Sequence, residues 1–585
     1  MQGIPARLLA FFACQKKILF ISISFVAAAY LLSILYSGSR IGIDDANIFF
    51  SYAKNLANGN GIAYGANLER VEGYTSTLWM LLCSFLFFIH ANETGIYFLS
   101  ITLAVFSATL CLAIIKQYAN FLDISHKTYD WIFLMLVLAS PSYLLWITVS
   151  LMDSALWGAI LVSMLYVLCN PPHVSNSRGW LIASIPFILS PLARPEALVV
   201  TPFFLVLLWS RMPSSTLISK FKILSYLSFA FILCVVALTL FRILYFGYPL
   251  PSTFYAKVSP SVIHNLLIGY PYALNFLTSN LVVGLSVLAM IVTLFFKLKL
   301  VNAPFKQSAS NWHSLMACVL PLVISVLMLL PVLTGGDHFA LSRFYQPVYP
   351  LFCLVLVLTV MQFSQKMVVM YTLPSGKGIN HHSVRQVYLL LALGAWLCIC
   401  VGDPSWLNVA TGPKPLANEF SLANSGRAKG NQINDLYIHD VALLPRVGVI
   451  VAGGFAVTYK GATADLMGLN NSYMAHFPGS RTGPKNHAAF EKAAFYNLAV
   501  DYIDEDPNDW FLVQAYLKNL FYDEQFYTNW TYGTVSGQAP GAKSIKGFFS
   551  NTYIEKLDAS SQLRFTQTLA LDTKTWTGRW LKVDQ

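Results

Sequence analysis

Long apolar runs, about as long as a bilayer is thick, recur along this chain and restrict its fold more than any other feature. The first, residues 18–36, has about the ~20 residues that span a hydrocarbon core. A cleaved signal peptide is the rival reading; it is disfavoured because no small-x-small cleavage site follows and many more runs do. Of the 585 residues, 56% are hydrophobic and 11% charged, whereas soluble chains carry about a quarter charged residues. The chain reads as a polytopic α-helical membrane protein.

Basic residues orient it. "TSTLWMLLCSFLFFIH" (75–90) is 16 residues long and is followed at once by the apolar run 94–115. Counting both as spans puts the 116–127 loop outside and inverts every basic loop after it. Treated instead as a helix lying in the outer interface, 75–90 leaves Arg7, Lys16, Lys17, Lys116, Lys127, Arg178, Arg211, Lys220, Lys222, Lys297, Lys299, Lys306, Lys366, Lys377 and Arg385 all inside. The expectation is about 11 spans over residues 1–402, a cytosolic N-terminus, a first outer loop at 37–93 and an outer domain at 403–585. Pro186, Pro191 and Pro195 break the 180–209 region, where neighbouring groups must replace lost backbone hydrogen bonds.

Charge follows the same division. Of 38 basic and 27 acidic residues, 16 and 17 lie from Asp403 onward, leaving 22 and 10 before it. The basic excess belongs to loops facing cytosol and anionic lipid, and nothing points to nucleic-acid binding. All nine cysteines precede Gly402, with no CxxC pair and no metal-ligand spacing. They read as small buried apolar residues, and no cofactor or metal is indicated.

Polar chemistry gathers at the outer face. In "GIDDANIFFSYAKNLANGNG" (42–61), polar residues at 44, 47, 51, 54/55 and 58 alternate with apolar ones at helical spacing. This predicts an interfacial helix with one wet and one greasy side, begun at Asp44-Asp45 and ended by Gly59 and Gly61. Either carboxylate could simply cap it. Further outer motifs follow: "NLERVEGYTSTLW" (67–79), "SLMDSALW" (150–157), "LARPEAL" (192–198), "FRILYFGYPLPSTFYAKV" (241–258) and "TGGDHFALSRFYQPVYP" (334–350). The tail adds "YKGATADLMGLNNSYMAH" (459–476) and "GPKNHAAFEK" (483–492).

In order and location these motifs resemble the integral-membrane GT-C glycosyltransferases. The nearest branch is the arabinofuranosyltransferase-like one, which includes terminal arabinofuranosyltransferases of cell-wall arabinan and a pilin arabinosyltransferase. The resemblance runs from about residue 40 to 350 and resumes over 445–492; 351–445 carries no matching motif. It implies a GT-C fold in the bacterial inner membrane, with a C-terminal extracytoplasmic (periplasmic) α/β domain. It also implies a polyprenyl-phosphate sugar donor and a catalytic acidic motif in the first outer loop, which falls on Asp44 and Asp45. One departure is "SLMDS", where the family's "SGLET" is usual, with Asp153 in place of the acid and no glycine.

The chemistry assigns candidate roles. A hydroxyl is a poor nucleophile, so a carboxylate must take its proton; two adjacent carboxylates repel, which raises one pKa. The leaving phosphate needs cations, for which Arg194, Lys257, His338 and Arg343 are candidates. Candidates for sugar or acceptor contact are Glu69, Arg70, Glu72, Asp153, Glu196, Tyr255, Asp337, Asp465, Asn470, His476 and His487. Bland readings stand beside them: loop salt bridges for 69, 70 and 72, an Arg194–Glu196 structural pair, a helix cap at Asp153, and snorkelling at Tyr255 and Lys257.

In the tail, "VGVIVAGGFAVTY" predicts a strand and "NHAAFEKAAFYNLAVDYI" a helix. With 24 Lys against 14 Arg and many Ile and Asn, the composition favours a pilin or surface-glycan acceptor over cell-wall arabinan. A transferase of mannose or aminoarabinose type is the alternative. A lipid-linked sugar transporter is a weaker one, since the sequence shows no internal repeat.

Overall fold

The structure, a computed structural model, describes residues 4–36, 39–173, 175–212, 216–300, 318–371, 414–479, 481, 483–485, 487–509, 512–538, 543–558, 563–572 and 579–582. Four helical segments among them are long and apolar enough to cross a membrane: Lys17–Leu35, Asn92–Leu122, Leu217–Phe246 and Arg343–Gln365. Two bent pairs qualify together, Lys127–Leu138 with Pro141–Val149 (73°) and Val262–Ser279 with Leu281–Phe295 (93°). Shorter apolar helices lie at Thr77–Phe88, Ser154–Cys169, Ala197–Arg211 and Leu320–Leu333. The chain is a polytopic helical membrane protein. The last expected span, residues Lys306, Lys377 and Arg385, and the 402/403 boundary lie outside the described residues.

Two local expectations meet the helices directly. Thr77–Phe88 has 12 residues, about 18 Å at 1.5 Å per residue, well short of a ~30 Å hydrocarbon core. The Pro-broken region is two helices, Ser177–Ala193 and Ala197–Arg211, interrupted at Arg194–Glu196. Buried hydroxyls of Ser190 and Thr201, 2.6 Å apart, tie the two together.

The chain divides into two compact units. The first takes Met1–Arg40, Thr94–Ala237 and Leu266–Ala417. The second takes Ile41–Glu93, Leu238–Asn265 and Asn418–Gln585. This differs from the linear division at 402/403, because the first outer loop and the 238–265 segment fold with the tail.

In the second unit, α1 (Asp44–Ala57) is amphipathic in sequence yet covered on both sides. Ala46, Phe49, Phe50 and Ala53 are buried as expected, but so are Asp44 (6% exposed), Asn47 (0%) and Ser51 (3%). The first half of the polar stripe does not face water, and only its end at Asn58 is exposed. Asn47 donates to the carbonyls of Ile41 and Ile43, the Ser51 hydroxyl accepts the Gly65 N–H, and Asn55 donates to the carbonyls of Ala63 and Gly65. Hydrogen bonds within the fold replace the hydration that the periodicity predicted.

Next come α2 (Thr77–Phe88), whose Ser76 side chain accepts the Trp79 N–H as an N-cap, α3 (Ser252–Lys257) and α4 (Ala417–Leu436). The tail carries a sheet of seven described strands: β1 (Val447–Val449), β2 (Thr463–Asp465), β3 (Tyr502–Ile503), β4 (Trp530–Gly537), β5 (Ser544–Ser550), β6 (Leu563–Asp572) and β7 (Arg579–Lys582). Their order is β2-β1-β3-β5-β4-β6-β7. β1 pairs in parallel with β2 and β3, Val447 lying opposite Thr463 and Tyr502; the remaining pairings are antiparallel. Aromatic packing fills one core, with Phe526 stacked on Trp530 at 5.2 Å and Phe548 edge-on to Trp580 at 4.9 Å.

The tail is α/β as expected, but two of its segments differ. Strand character in 447–459 stops at Val449, and α5 (Gly453–Thr458) follows, because the amides of Gly453 and Gly454 are drawn to a carboxylate instead of a ladder. Of the expected helix over 486–503, Lys492–Phe495 is helical; the chain then extends so that Tyr502–Ile503 can pair with β1.

Candidate active site

The second unit gathers the acidic pair. Asp44 opens α1 without capping it: the preceding residue, Ile43, is extended and no side chain caps the helix. Its carboxylate turns to the tail instead. Oδ2 accepts the Gly453 N–H at 2.9 Å and Oδ1 the Gly454 N–H at 2.7 Å. The approach requires glycine, since a Cβ on Gly453 would lie 1.9 Å from the Asp44 carbonyl oxygen and one on Gly454 would lie 2.2 Å from that of Ala423. Burial pushes the Asp44 carboxyl up to about 6, against the downward pull of the two amides, with Asp45 and Asp465 adding to the rise.

Asp45 is the more accessible carboxylate. Its side chain is 20% exposed and stands 3.8 Å from Lys257 Nζ, at the end of α3. Asp465, at the end of β2, is fully buried and accepts the backbone N–H groups of Met467 and Asn470 and the Asn470 amide, all within 2.9 Å. Burial pushes it to about 6, opposed by those hydrogen bonds and by Lys257. Asn470 in turn accepts from Tyr52, whose hydroxyl takes the Gly73 N–H. Asp465 and Asn470, two of the four tail residues expected to contact sugar or acceptor, therefore spend these hydrogen bonds joining "DLMGLNN" to the first loop.

The loop residues separate. Glu69 accepts the Ser472 N–H at 3.3 Å, and burial pushes it up to about 7. Arg70 is exposed, its guanidinium 5.1 Å from the Tyr245 ring. Glu72 is buried and forked by Arg242, with Nε 2.8 Å from Oε2 and Nη2 2.9 Å from Oε1. It holds a helix to a loop as a buried ion pair; the sequence had set a solvated salt bridge beside a sugar contact at this position.

Tyr255 and His476 meet. His476 lies flat on Tyr248 at 3.6 Å and against Tyr255 at 4.3 Å. Arg481 fixes this corner by donating to the carbonyls of Tyr255, Ala475 and Phe477. His487 is turned away, onto the Lys485 carbonyl and the edge of Tyr516.

The first unit holds the other candidates. Arg194 donates to Asp153 (3.0 Å) and to both oxygens of Glu196 (2.6 and 3.1 Å). Asp153 precedes the helix Ser154–Cys169 but makes no side-chain cap. Arg343 pairs with Asp337 at 2.6 Å, and Asp337 also accepts the His338 N–H. Phe344 faces both guanidinium groups, 5.2 Å from Arg194 and 4.8 Å from Arg343. Each arginine is thus compensated by carboxylate. Among the described residues, no group of three or more His, Cys, Asp or Glu could hold a metal ion.

Sequence reasoning missed Gly453, Gly454, Asn47, Arg427 and Arg242. Arg242 was open to detection, since a lone charge in an apolar helix demands a partner. The glycine pair carried no local signal, as its requirement comes from Asp44 for Gly453 and from Ala423 for Gly454, both far outside a local window.

No family model matches the chain, and no curated protein matches it. Solved structures similar to it include two of one protein. ArnT from Cupriavidus metallidurans bound to undecaprenyl phosphate shares 12% identity over 91% of this chain and 98% of that one, with a TM-score of 0.47. The same protein in the apo state shares 11% identity over the same fractions, with a TM-score of 0.49. Neither likeness assigns a role to a residue of this chain.

Proposed function

We propose that this chain is a glycosyltransferase of GT-C type. It moves a sugar, D-arabinofuranose by the motif resemblance, from a polyprenyl-phosphate donor to a pilin or surface-glycan hydroxyl at the outer face of a bacterial inner membrane. The observation that carries the reading is Asp45: a partly exposed carboxylate beside the Lys257 ammonium, while its neighbour Asp44 is buried. Asp45 takes the proton of the acceptor hydroxyl as its oxygen attacks the anomeric carbon. The bond from that carbon to the phosphate oxygen breaks, and the phosphate leaves as an anion. Lys257, whose 3.8 Å pairing is looser than that of Arg194 or Arg343, offsets that charge. A lipid-held donor supplies its own anchor, in keeping with a sequence that has no Gly-rich nucleotide loop.

The test is transfer by purified protein supplied with lipid-linked arabinose, mannose or aminoarabinose and a hydroxyl acceptor. Labelled product from the arabinose donor alone is expected. Product from another donor moves the assignment to that sugar. Passage of intact lipid-linked sugar across vesicles, with no transfer, would sustain the transporter alternative.

A further inference from the structure

The start of α1 is gripped twice by the tail. Asp44 is held by the amides of Gly453 and Gly454, and one turn on, the Asn47 side-chain oxygen accepts from Arg427 Nε at 2.7 Å. Arg427 is itself anchored by Glu93, at 2.8 Å. Asp45 lies between these two fixed residues and projects elsewhere, toward Lys257. We propose that Asp44 is a positioning residue, and that the Gly453–Gly454 amides with the Arg427–Asn47 bond form the brace that aims Asp45 at the acceptor hydroxyl. The inference rests on the transferase reading above.

The physical argument is one of geometry. A carboxylate offers two acceptor oxygens in one plane, matching two successive N–H donors; an amide offers one, and sets its NH₂ against the second donor. Asn at position 44 therefore breaks the brace without changing side-chain size. A misplaced reacting group loses rate at unchanged donor affinity, by up to about 10²-fold for a shift of about 1 Å.

The full-length protein in detergent is assayed for kcat and donor KM from pH 5 to 9, as wild type, Asp44→Asn, Asp45→Asn and Asn47→Ala. Asp45→Asn is expected to lose about 10²-fold or more in kcat, together with the acid limb of the pH profile. Asp44→Asn and Asn47→Ala are expected to lose roughly 10- to 100-fold in kcat while keeping that limb and the donor KM. In parallel, the wild type is treated with a water-soluble carbodiimide and an amine, and the modified carboxyls are mapped by mass spectrometry. Asp45 should be labelled and Asp44 protected. Loss of the acid limb in Asp44→Asn with near-normal Asp45→Asn, wild-type kinetics in Asn47→Ala, or labelling of Asp44 ahead of Asp45 would each overturn the inference. If wild type moves no sugar from any donor, the transferase reading fails and the inference with it. The labelling pattern alone still shows whether Asp44 is held, even if Asp44→Asn does not fold.

Discussion

Arg242 reaches from an apolar helix to fork Glu72, and both residues are more than 90% buried. Removing one partner strands the other. Glu72→Ala is expected to cost about 3–5 kcal/mol, read as a lowered thermal midpoint in detergent, whereas Glu72→Leu with Arg242→Met should recover most of it. An unchanged midpoint for Glu72→Ala would show that water already solvates the arginine.

pH acts on the buried carboxyls with a defined sign. Asp44 and Asp465 titrate at about 6 in the fold and Glu69 at about 7, against about 4 in an unfolded chain. Between those values the folded state binds more protons, so these groups make stability fall as pH rises from about 4 to about 7, then level off. The thermal midpoint should be higher at pH 5 than at pH 8, and Asp44→Asn, which cannot titrate, should narrow the gap. A gap of the same size in that variant would remove Asp44 from the account.

Arg194 touches three carboxylate oxygens on two residues. A lysine presents one ammonium in place of a planar fork and cannot hold both acids at once. Arg194→Lys should lose roughly 1–3 kcal/mol of stability by leaving a buried acceptor unpaired. If Arg194 serves mainly as a phosphate ligand, the variant should keep its midpoint and lose donor affinity. Thermal melts and donor binding, measured on one preparation, separate the two.

The first loop and the tail interlock tightly at Gly73. A Cβ there would lie 1.8 Å from the Asn470 side-chain oxygen, and Asn470 is itself tied to Asp465. Gly73→Ala should cost about 1–3 kcal/mol or more. Gly59, at φ +81° with nothing within 4 Å of its added Cβ, should cost only about 1 kcal/mol on the same change. The reverse ranking in urea titrations would mean that loop and tail do not interlock.

Topology has its own measurement. A cysteine at Lys556 is expected to react with a membrane-impermeant reagent on intact cells, and one at Lys127 only after permeabilisation, in a background lacking native cysteines. The opposite pattern would invert the frame drawn from the basic loops.

Helical spans and the tail's mixed α/β character were both legible, because each depends on local composition or period. The fate of the polar stripe was not. Asn47, Ser51 and Asn55 read as a wet face because period reports which residues share a side, not whether that side meets water or a hydrogen-bonding partner. Asp44 was weighed as a cap on its own helix, whereas its partners are tail glycines invisible to any local window. In the same way Glu72 looked like a loop acid until Arg242, 170 residues on, supplied its counter-charge.

The bond between Asp44 and Gly454 joins residues 410 positions apart. At about 5–20 residues per second, a ribosome finishes Gly454 roughly 20–80 s after Asp44. For that whole interval the nascent chain displays both carboxylates without their brace. A chain terminated before Gly453 therefore carries the acidic pair without the two amides that hold Asp44.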